Sequence, residues 1–128
     1  MLQFEVYQRT DSYKGRRRQG ETVTVQPRGL MSLSPDAFTR LGSPGAVQFL
    51  IDRKRRLIGF RPCGPQEEDA HAVRGLSHVI SGVTVLKFLG AELGGSSRRY
   101  SLHAEDGLPP YIDLNEDAPV VTSNRRKA

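Results

Sequence analysis

A stretch of thirty-five residues in the middle of the chain, residues 28–62, constrains the fold more than any other segment. Its sequence, RGLMSLSPDAFTRLGSPGAVQFLIDRKRRLIGFRP, predicts a strand, a short helix and then a β-hairpin. A unit of this size cannot bury a hydrophobic core by itself. We therefore expect it to pack against a second unit of similar size.

The helix of this segment is predicted over residues 35–41 by the residues at its two ends. Ser34 offers an N-cap hydroxyl, Pro35 suits the first helical position, and Asp36 favours the positive end of the helix. Gly42 can adopt the left-handed conformation that ends a helix. Residues 30–33 are predicted to form the strand that leads into it.

Alternating apolar residues predict further strands on both sides. Residues 21–26 (ETVTVQ) place Val23 and Val25 on one face of a strand. Residues 47–52 and 57–61 flank a basic turn and predict a hairpin. The alternation around Phe4 predicts one more strand near the N-terminus.

A similar but weaker order of elements recurs in the second half of the chain. Residues 83–93 carry apolar side chains at helical spacing, although the VTVL segment also fits a strand. Residues 99–103 and 108–114 flank a Glu-Asp-Gly turn at 105–107 and predict a second hairpin. The motif AFTRLG at 37–42 matches VLKFLG at 85–90. Duplication and chance recurrence both explain this match.

These elements predict a mainly β (α+β) fold, a small β-barrel of two pseudo-repeated strand-helix-hairpin units. The units span about residues 21–62 and 71–114 and together form one globular domain, residues 1–114. The Pro- and Gly-containing segment 62–69 is the predicted linker. Residues 115–128 are predicted to be a flexible C-terminal tail. The predicted core residues are Phe38, Leu41, Val47, Phe49, Ile51, Ile58, Phe60, Leu86 and Leu89.

Residues 28–62 resemble the swapped-hairpin domain of AbrB, SpoVT and MazE-type proteins. The matching residues are Arg28-Gly29, Leu30, Ser32, Pro35, Leu41-Gly42, Val47 and Phe60-Arg61-Pro62. The segment departs from the family at 43–46, which lacks the usual Gly-Asp, and at Ser34, where the family usually has Ile. The resemblance implies a DNA-binding dimer of half-barrels. A second unit in the same chain would instead imply a pseudo-dimeric barrel, as in the related double-psi barrels.

Positive charge is concentrated in the first half of the chain. Residues 1–61 hold twelve Lys and Arg against five acids, whereas residues 62–128 hold seven against nine, for a net charge of +5 over the whole chain. The asymmetry predicts a polyanionic partner or self-association between unlike faces. A merely soluble surface in a proteome rich in arginine explains it equally well.

Two basic clusters are the candidate binding sites. The turn at 53–56 could contact phosphates and guanine edges, and the loop at 14–18 could grip a backbone or enter a minor groove. The alternative for the turn is a solvated tip that blocks edge pairing. The predicted nucleic-acid-binding residues are Lys14, Arg16, Arg17, Arg18, Arg28, Arg53, Lys54, Arg55, Arg56 and Arg61.

No arrangement of residues predicts catalysis. The spacing of His71, His78 and His103 fits no metal motif, and Cys63 is the only cysteine. Paired carboxylates, a catalytic triad and a phosphate-binding loop are not recognisable. We therefore expect a protein that is not an enzyme, with no metal and no cofactor.

The sequence therefore predicts a nucleic-acid-binding protein, with DNA the expected partner and a transcriptional or phage regulator the expected role. The alternative is a non-enzymatic interaction or assembly module that docks on an acidic partner, and a homodimer is open in either case. No apolar run approaches the ~20 residues of a membrane helix. The start MLQFEVYQRT lacks a signal pattern, so we expect a cytoplasmic protein of bacterial or phage type without membrane contact.

Overall fold

Two antiparallel sheets and two short helices make up residues 20–91 and 94–121, the part of the chain that the computed structural model describes. The strands are β1 (Thr22–Val25), β2 (Leu30–Leu33), β3 (Ala46–Asp52), β4 (Leu57–Cys63), β5 (His71–Ala72), β6 (Val79–Ser81), β7 (Ser97–Ser101), β8 (Tyr111–Asp113) and β9 (Val120–Val121). The helices are α1 (Pro35–Arg40) and α2 (Val83–Phe88). The prediction of a mainly β fold is confirmed.

The strands do not close into a barrel, so that part of the prediction is wrong. Sheet A has the strand order β6-β2-β1-β7-β9, and sheet B has the order β5-β3-β4-β8. Among the described strands, each sheet has two edge strands. The chain crosses between the sheets repeatedly, since β1, β2, β6, β7 and β9 belong to one sheet and β3, β4, β5 and β8 to the other.

A single apolar core cluster draws on both sheets and both helices. Six of the nine predicted core residues are buried: Leu41, Val47, Ile58, Phe60, Leu86 and Leu89. Phe38 and Phe49 are partly buried against the cluster. Ile51 is 42% exposed, so its assignment to the core is wrong. It lies one residue from the end of β3, beside the hairpin turn, where fewer neighbours cover it.

The first hairpin is confirmed, whereas the second is not a hairpin within one sheet. β3 and β4 pair from Ala46↔Cys63 to Asp52↔Leu57. β7 instead pairs with β1 and β9, and β8 pairs with β4. Only an isolated bridge between His103 and Tyr111 joins their ends. The two prolines before Tyr111 lack N–H donors, which delays β8. The two halves therefore differ in connectivity, and the structure does not show a repeat.

Both predicted helices are present. α1 begins at the Ser34 cap and Pro35, as predicted. α2 begins at Val83 but ends at Phe88, earlier than the predicted residue 93. Leu89 closes it and Gly90 follows with a φ of +68°. The chain therefore leaves the helix at Leu-Gly, as it does at Leu41-Gly42.

The start of α2 lies against the turn between β1 and β2. The Gly82 N–H donates a hydrogen bond to the Gly29 carbonyl at 2.9 Å. Gly29 has a φ of +96°, and a Cβ there would lie 2.9 Å from Cγ2 of Val83. The close approach and the left-handed backbone both require glycine. Arg28, the neighbour of Gly29, is thereby placed beside the N-terminal end of α2.

The described chain remains packed beyond the predicted domain end at residue 114. β9 pairs with β7 at Ser97↔Val121, and Ala118 is only 4% exposed. The predicted strand around Phe4 and the last seven residues of the predicted tail lie outside the described residues. Within the described ranges, no helix has the length and apolar character needed to cross a membrane.

Candidate nucleic-acid interface

The basic turn Arg53–Arg56, called the hairpin tip below, joins β3 to β4 at one end of sheet B. Arg53, Lys54 and Arg55 are exposed, and Arg56 is half-buried. The Asp52 carboxylate shapes the turn, because its Oδ1 accepts a hydrogen bond from the Arg55 N–H at 3.0 Å. Arg56 completes the turn with a φ of +59°. The tip therefore has a defined backbone that presents three consecutive cations to solvent.

Arg56 has a structural role that the sequence did not predict. Its Nη1 donates to the Leu89 carbonyl at 2.9 Å, at the C-terminal end of α2. The carbonyl end of a helix carries partial negative charge, so a guanidinium is favourable there. The Arg56 carbonyl accepts a hydrogen bond from the Leu114 N–H at 3.0 Å. Arg56 thus connects the hairpin tip to α2 and to the segment after β8.

An exposed aromatic ring lies beside the tip. The guanidinium carbon of Arg53 is 4.8 Å from the centre of the Phe88 ring, and Phe88 is 57% exposed. Lys87, the preceding residue of α2, is also exposed. Cationic groups next to an accessible ring form a common arrangement for contacting nucleic-acid backbone and bases. The sequence reasoning missed Lys87 and Phe88, because only tertiary packing brings α2 to the tip.

The Asp52 carboxylate offsets part of the charge at the tip. The Arg55 Nε lies 3.9 Å from Oδ2 of Asp52, a long ion pair in which the Arg55 side chain is 77% exposed. The Arg55 carbonyl also accepts a hydrogen bond from Nδ2 of Asn115 at 2.9 Å. An exposed pair of this kind contributes little and leaves the guanidinium accessible. Arg53 and Lys54 therefore carry the least compensated charge, followed by Arg55.

The other predicted cations are spread over the molecule. Arg61 is exposed on β4 opposite Gln48, about 13 Å along the strand from the tip. Arg28 is exposed beside the N-terminal end of α2. The tip contacts the C-terminal end of α2, and the two ends of this helix are about 9 Å apart. Lys14, Arg16, Arg17 and Arg18 lie outside the described residues.

The distribution of charge changes when the described part is considered by itself. Residues 20–91 and 94–121 hold eleven Lys and Arg and eleven Asp and Glu, a net charge of zero. The whole chain holds nineteen and fourteen, so the surplus of five positive charges belongs to the remaining residues. A neutral body cannot attract a polyanion through its overall field. Any attraction by the described part must come from a local patch such as the tip.

The histidines and the cysteine lie apart, each with its own neighbours. His78 stacks on Phe38 with ring centres 3.8 Å apart, and His71 lies 4.6 Å from the Phe49 ring. His103 Nε2 lies 3.0 Å from the Glu116 carboxylate. Within the described ranges, no cluster of three or more His, Cys, Asp or Glu residues is suited to hold a metal ion. Burial, together with the charge of Glu67, raises the pKa of the Cys63 thiol, which disfavours the thiolate at neutral pH.

Comparison with protein-family models gives no match for this chain, and comparisons with curated proteins and with solved structures give no significant match. The resemblance of residues 28–62 to AbrB-type domains therefore stays a prediction from the residues that carry it.

Proposed function

We propose that this protein binds nucleic acid through the hairpin tip and the adjoining end of α2. The observation that supports this most directly is the exposed cluster of Arg53, Lys54 and Arg55 beside the accessible ring of Phe88. DNA is the expected partner, and transcriptional or phage regulation is the role that the sequence predicts for such binding.

The cations act on the backbone of the nucleic acid. Arg53, Lys54 and Arg55 neutralise phosphates and release counterions, which gives affinity that falls with salt concentration. Arg56 acts indirectly, because its side chain is held by the Leu89 carbonyl. Its contribution is to fix the tip against α2, so that the three exposed cations project from a rigid support.

The Phe88 ring gives the site a preference for unpaired bases. A base can stack on an exposed ring only when it is not stacked within a duplex. Arg53 already covers the ring at 4.8 Å, and it can rotate toward a phosphate when a base takes its place. We therefore expect single-stranded DNA, or a strand with unpaired bases, to bind more tightly than a plain duplex of equal length.

A salt series tests the proposal. The triple variant Arg53→Gln, Lys54→Gln, Arg55→Gln should bind single-stranded DNA more weakly, with the slope of log affinity against log salt shallower by about 2, or about 3 for a duplex. Fluorescence anisotropy with single-stranded, duplex and RNA probes measures both quantities. Arg56 is kept in this variant because its loss would also affect α2.

The control variant removes the same charge elsewhere, through Arg28→Gln, Arg61→Gln and Arg74→Gln at three other exposed positions. Equal weakening by the two triple variants would contradict a site at the tip. Phe88→Leu should weaken single-stranded binding by roughly fivefold or more and leave the duplex unaffected. No binding by the natural chain at about 50 mM salt would contradict the proposal altogether.

Assembly through unlike charges is a second candidate, because the acidic segment Glu67–Asp69 lies near the end of sheet B opposite the tip. Gln48 Nε2 donates to the Glu68 carbonyl at 2.8 Å, and Gln48 is in the first half of β3, whereas the tip follows its last residue. The tip of one molecule could therefore dock on the acidic segment of another. Sedimentation at low and high salt distinguishes this candidate, because self-association should decrease with salt without any nucleic acid present.

A further inference from the structure

Sheet A turns a polar face away from the core, and a row of side chains crosses that face on three neighbouring strands. Ser32 of β2 pairs with Thr24 of β1, which in turn pairs with Arg99 of β7. Cross-strand neighbours in such a row are about 5 Å apart. Two hydroxyls and one guanidinium therefore share a short strip of the sheet, on the face opposite Val23 and Val25.

A cavity of about 380 Å³ opens over this strip. Ser77 and His78, from the turn before β6, line it together with Ser34 and Pro35. Its volume is within the range of small-molecule sites. No carboxylate is among the residues that line it, so Arg99 is the sole residue with a permanent charge in the described wall.

Among the described residues, Arg99 has none of the partners that a partly buried guanidinium ordinarily has. Its Nε is buried, and no atom of the described residues accepts a hydrogen bond from it. The structure likewise shows no hydrogen bond from the hydroxyls of Thr24, Ser32 or Ser77 to another described residue. A buried donor without an acceptor is rare in folded proteins. The Arg99 side chain as a whole is only half-buried, and no carboxylate of the described residues lines the cavity beside it. An anion in the cavity would supply the guanidinium with a counter-ion.

We propose that the Arg99 cavity binds the phosphate group of a phosphate monoester. The guanidinium fork and three hydroxyls offer more donors than the two oxygens of a carboxylate can use, whereas a phosphate monoester has three terminal oxygens. The rim favours an ester over inorganic phosphate, because it includes Pro35, Val121 and Leu76, which is 98% exposed. These apolar groups can contact the organic part of the ligand. The phosphate belongs either to a small molecule or to the 5′ end of a nucleic-acid strand.

The test uses the full chain with four probes: inorganic phosphate, adenosine monophosphate, and one oligonucleotide with either a 5′-phosphate or a 5′-hydroxyl. Calorimetry and amide chemical shifts should show the monophosphate binding more tightly than inorganic phosphate, with shifts at Thr24, Ser32 and Arg99. Arg99→Gln should weaken monophosphate binding roughly tenfold to a hundredfold, because it removes charged hydrogen bonds. Arg61→Gln, which removes the same charge from sheet B, should change it less than about twofold.

Two further variants keep the test decisive. Arg99→Lys retains the charge without the planar guanidinium fork and should bind with intermediate affinity, which a purely structural arginine would not show. The tip triple variant should bind the monophosphate as the natural chain does, so that a wrong proposal for the Arg99 cavity can be distinguished from a wrong proposal for the tip.

A 5′-phosphate advantage that disappears in Arg99→Gln would identify a strand end as the source. Equal binding of the 5′-phosphate and 5′-hydroxyl oligonucleotides, together with retained monophosphate binding, would identify a small molecule as the ligand. No binding of any phosphate probe at millimolar concentration, or unchanged binding in Arg99→Gln, would overturn the proposal.

Discussion

The two helices have the same length and follow two strands that pair with each other, yet they are stabilised in different ways. α1 is capped by its own neighbour, since Ser34 Oγ accepts from the Ala37 N–H at 3.1 Å. α2 follows Gly82, which has no side chain to cap it. Its first turn depends on the close contact with Gly29, and its last turn on Arg56 from the hairpin tip. The ends of α1 are therefore set by its neighbours in sequence, whereas both ends of α2 are held by residues that are distant in sequence.

This difference has a functional consequence. Arg40, the last residue of α1, donates two hydrogen bonds to the Glu21 carboxylate, and Glu21 immediately precedes β1 of sheet A. α2 is joined to sheet B at the tip where we place nucleic-acid binding. A ligand that orders the tip should therefore stabilise α2 as well, and α1 much less. The three predictions that follow test the contrast between a locally stabilised helix and a tertiary one.

The largest effect is expected at the cap of α1. Ser34 is buried, and its Oγ also accepts from the Thr22 N–H at 3.0 Å and donates to the Gly20 carbonyl at 2.6 Å. Ser34→Ala leaves two N–H groups without an acceptor. We expect the free energy of unfolding to fall by about 2–4 kcal/mol, measured by urea denaturation.

Ser34→Thr is the matched control, because it keeps the hydroxyl and should retain most of the stability. A loss below about 1 kcal/mol in Ser34→Ala would show that water replaces these bonds. The contrast between the helices would then be weaker than the geometry indicates.

The sequence predicted α1 well because the residues that form it are adjacent. Ser34, Pro35, Asp36 and Gly42 each act within one or two turns, so their chemistry can be recognised without a structure. The β3–β4 hairpin was predictable for the same reason. For α2, the start was predictable from spacing, but its length was not. Leu89 accepts a hydrogen bond from a residue thirty-three positions earlier, and no local pattern encodes that contact.

The candidate sites differ in the same way. The hairpin tip could be recognised as four consecutive basic residues, whereas its neighbours Lys87 and Phe88 could not. The Arg99 cavity joins residues from β1, β2, β7 and the turn before β6, which only sheet pairing brings together. In the sequence, Arg99 is simply the second of two arginines in a strand. Its missing partner becomes visible only when its burial is known.

A smaller effect is expected at the end of α2. Arg56→Gln removes the hydrogen bond to Leu89 while retaining a side chain at the same positive φ, so the backbone strain is unchanged. We expect a loss of about 1 kcal/mol. The amides of Gly90 and Ala91, which bond to carbonyls of α2, should exchange faster with solvent.

Arg55→Gln is the neighbouring control, since it removes the same charge from an exposed position. It should change stability by less than about 0.5 kcal/mol and leave exchange at α2 unchanged. Equal losses in the two variants would mean that the tip affects stability through charge in general. α2 would then not depend on Arg56.

The smallest effect is expected at the Glu21–Arg40 pair, which ties the end of α1 to the start of β1. Two hydrogen bonds, Arg40 Nε to Oε1 at 2.9 Å and Nη2 to Oε2 at 2.8 Å, lower the pKa of Glu21 from its ordinary value of 4.5. A lowered pKa in the folded state means that the pair stabilises the protein above that ordinary value and loses its effect as the pH falls through the lowered one. The stability difference between the natural chain and Glu21→Gln should therefore be small at pH 7, because the pair is solvent-exposed, and should vanish in acid.

Urea denaturation from pH 7 down to about 3 measures this difference, with Glu68→Gln, an exposed carboxylate, as the control. A difference that stays constant over this range, or that equals the one seen for Glu68→Gln, would mean that the pair does not hold α1. The stability of α1 would then come from its Ser34 cap and its buried face.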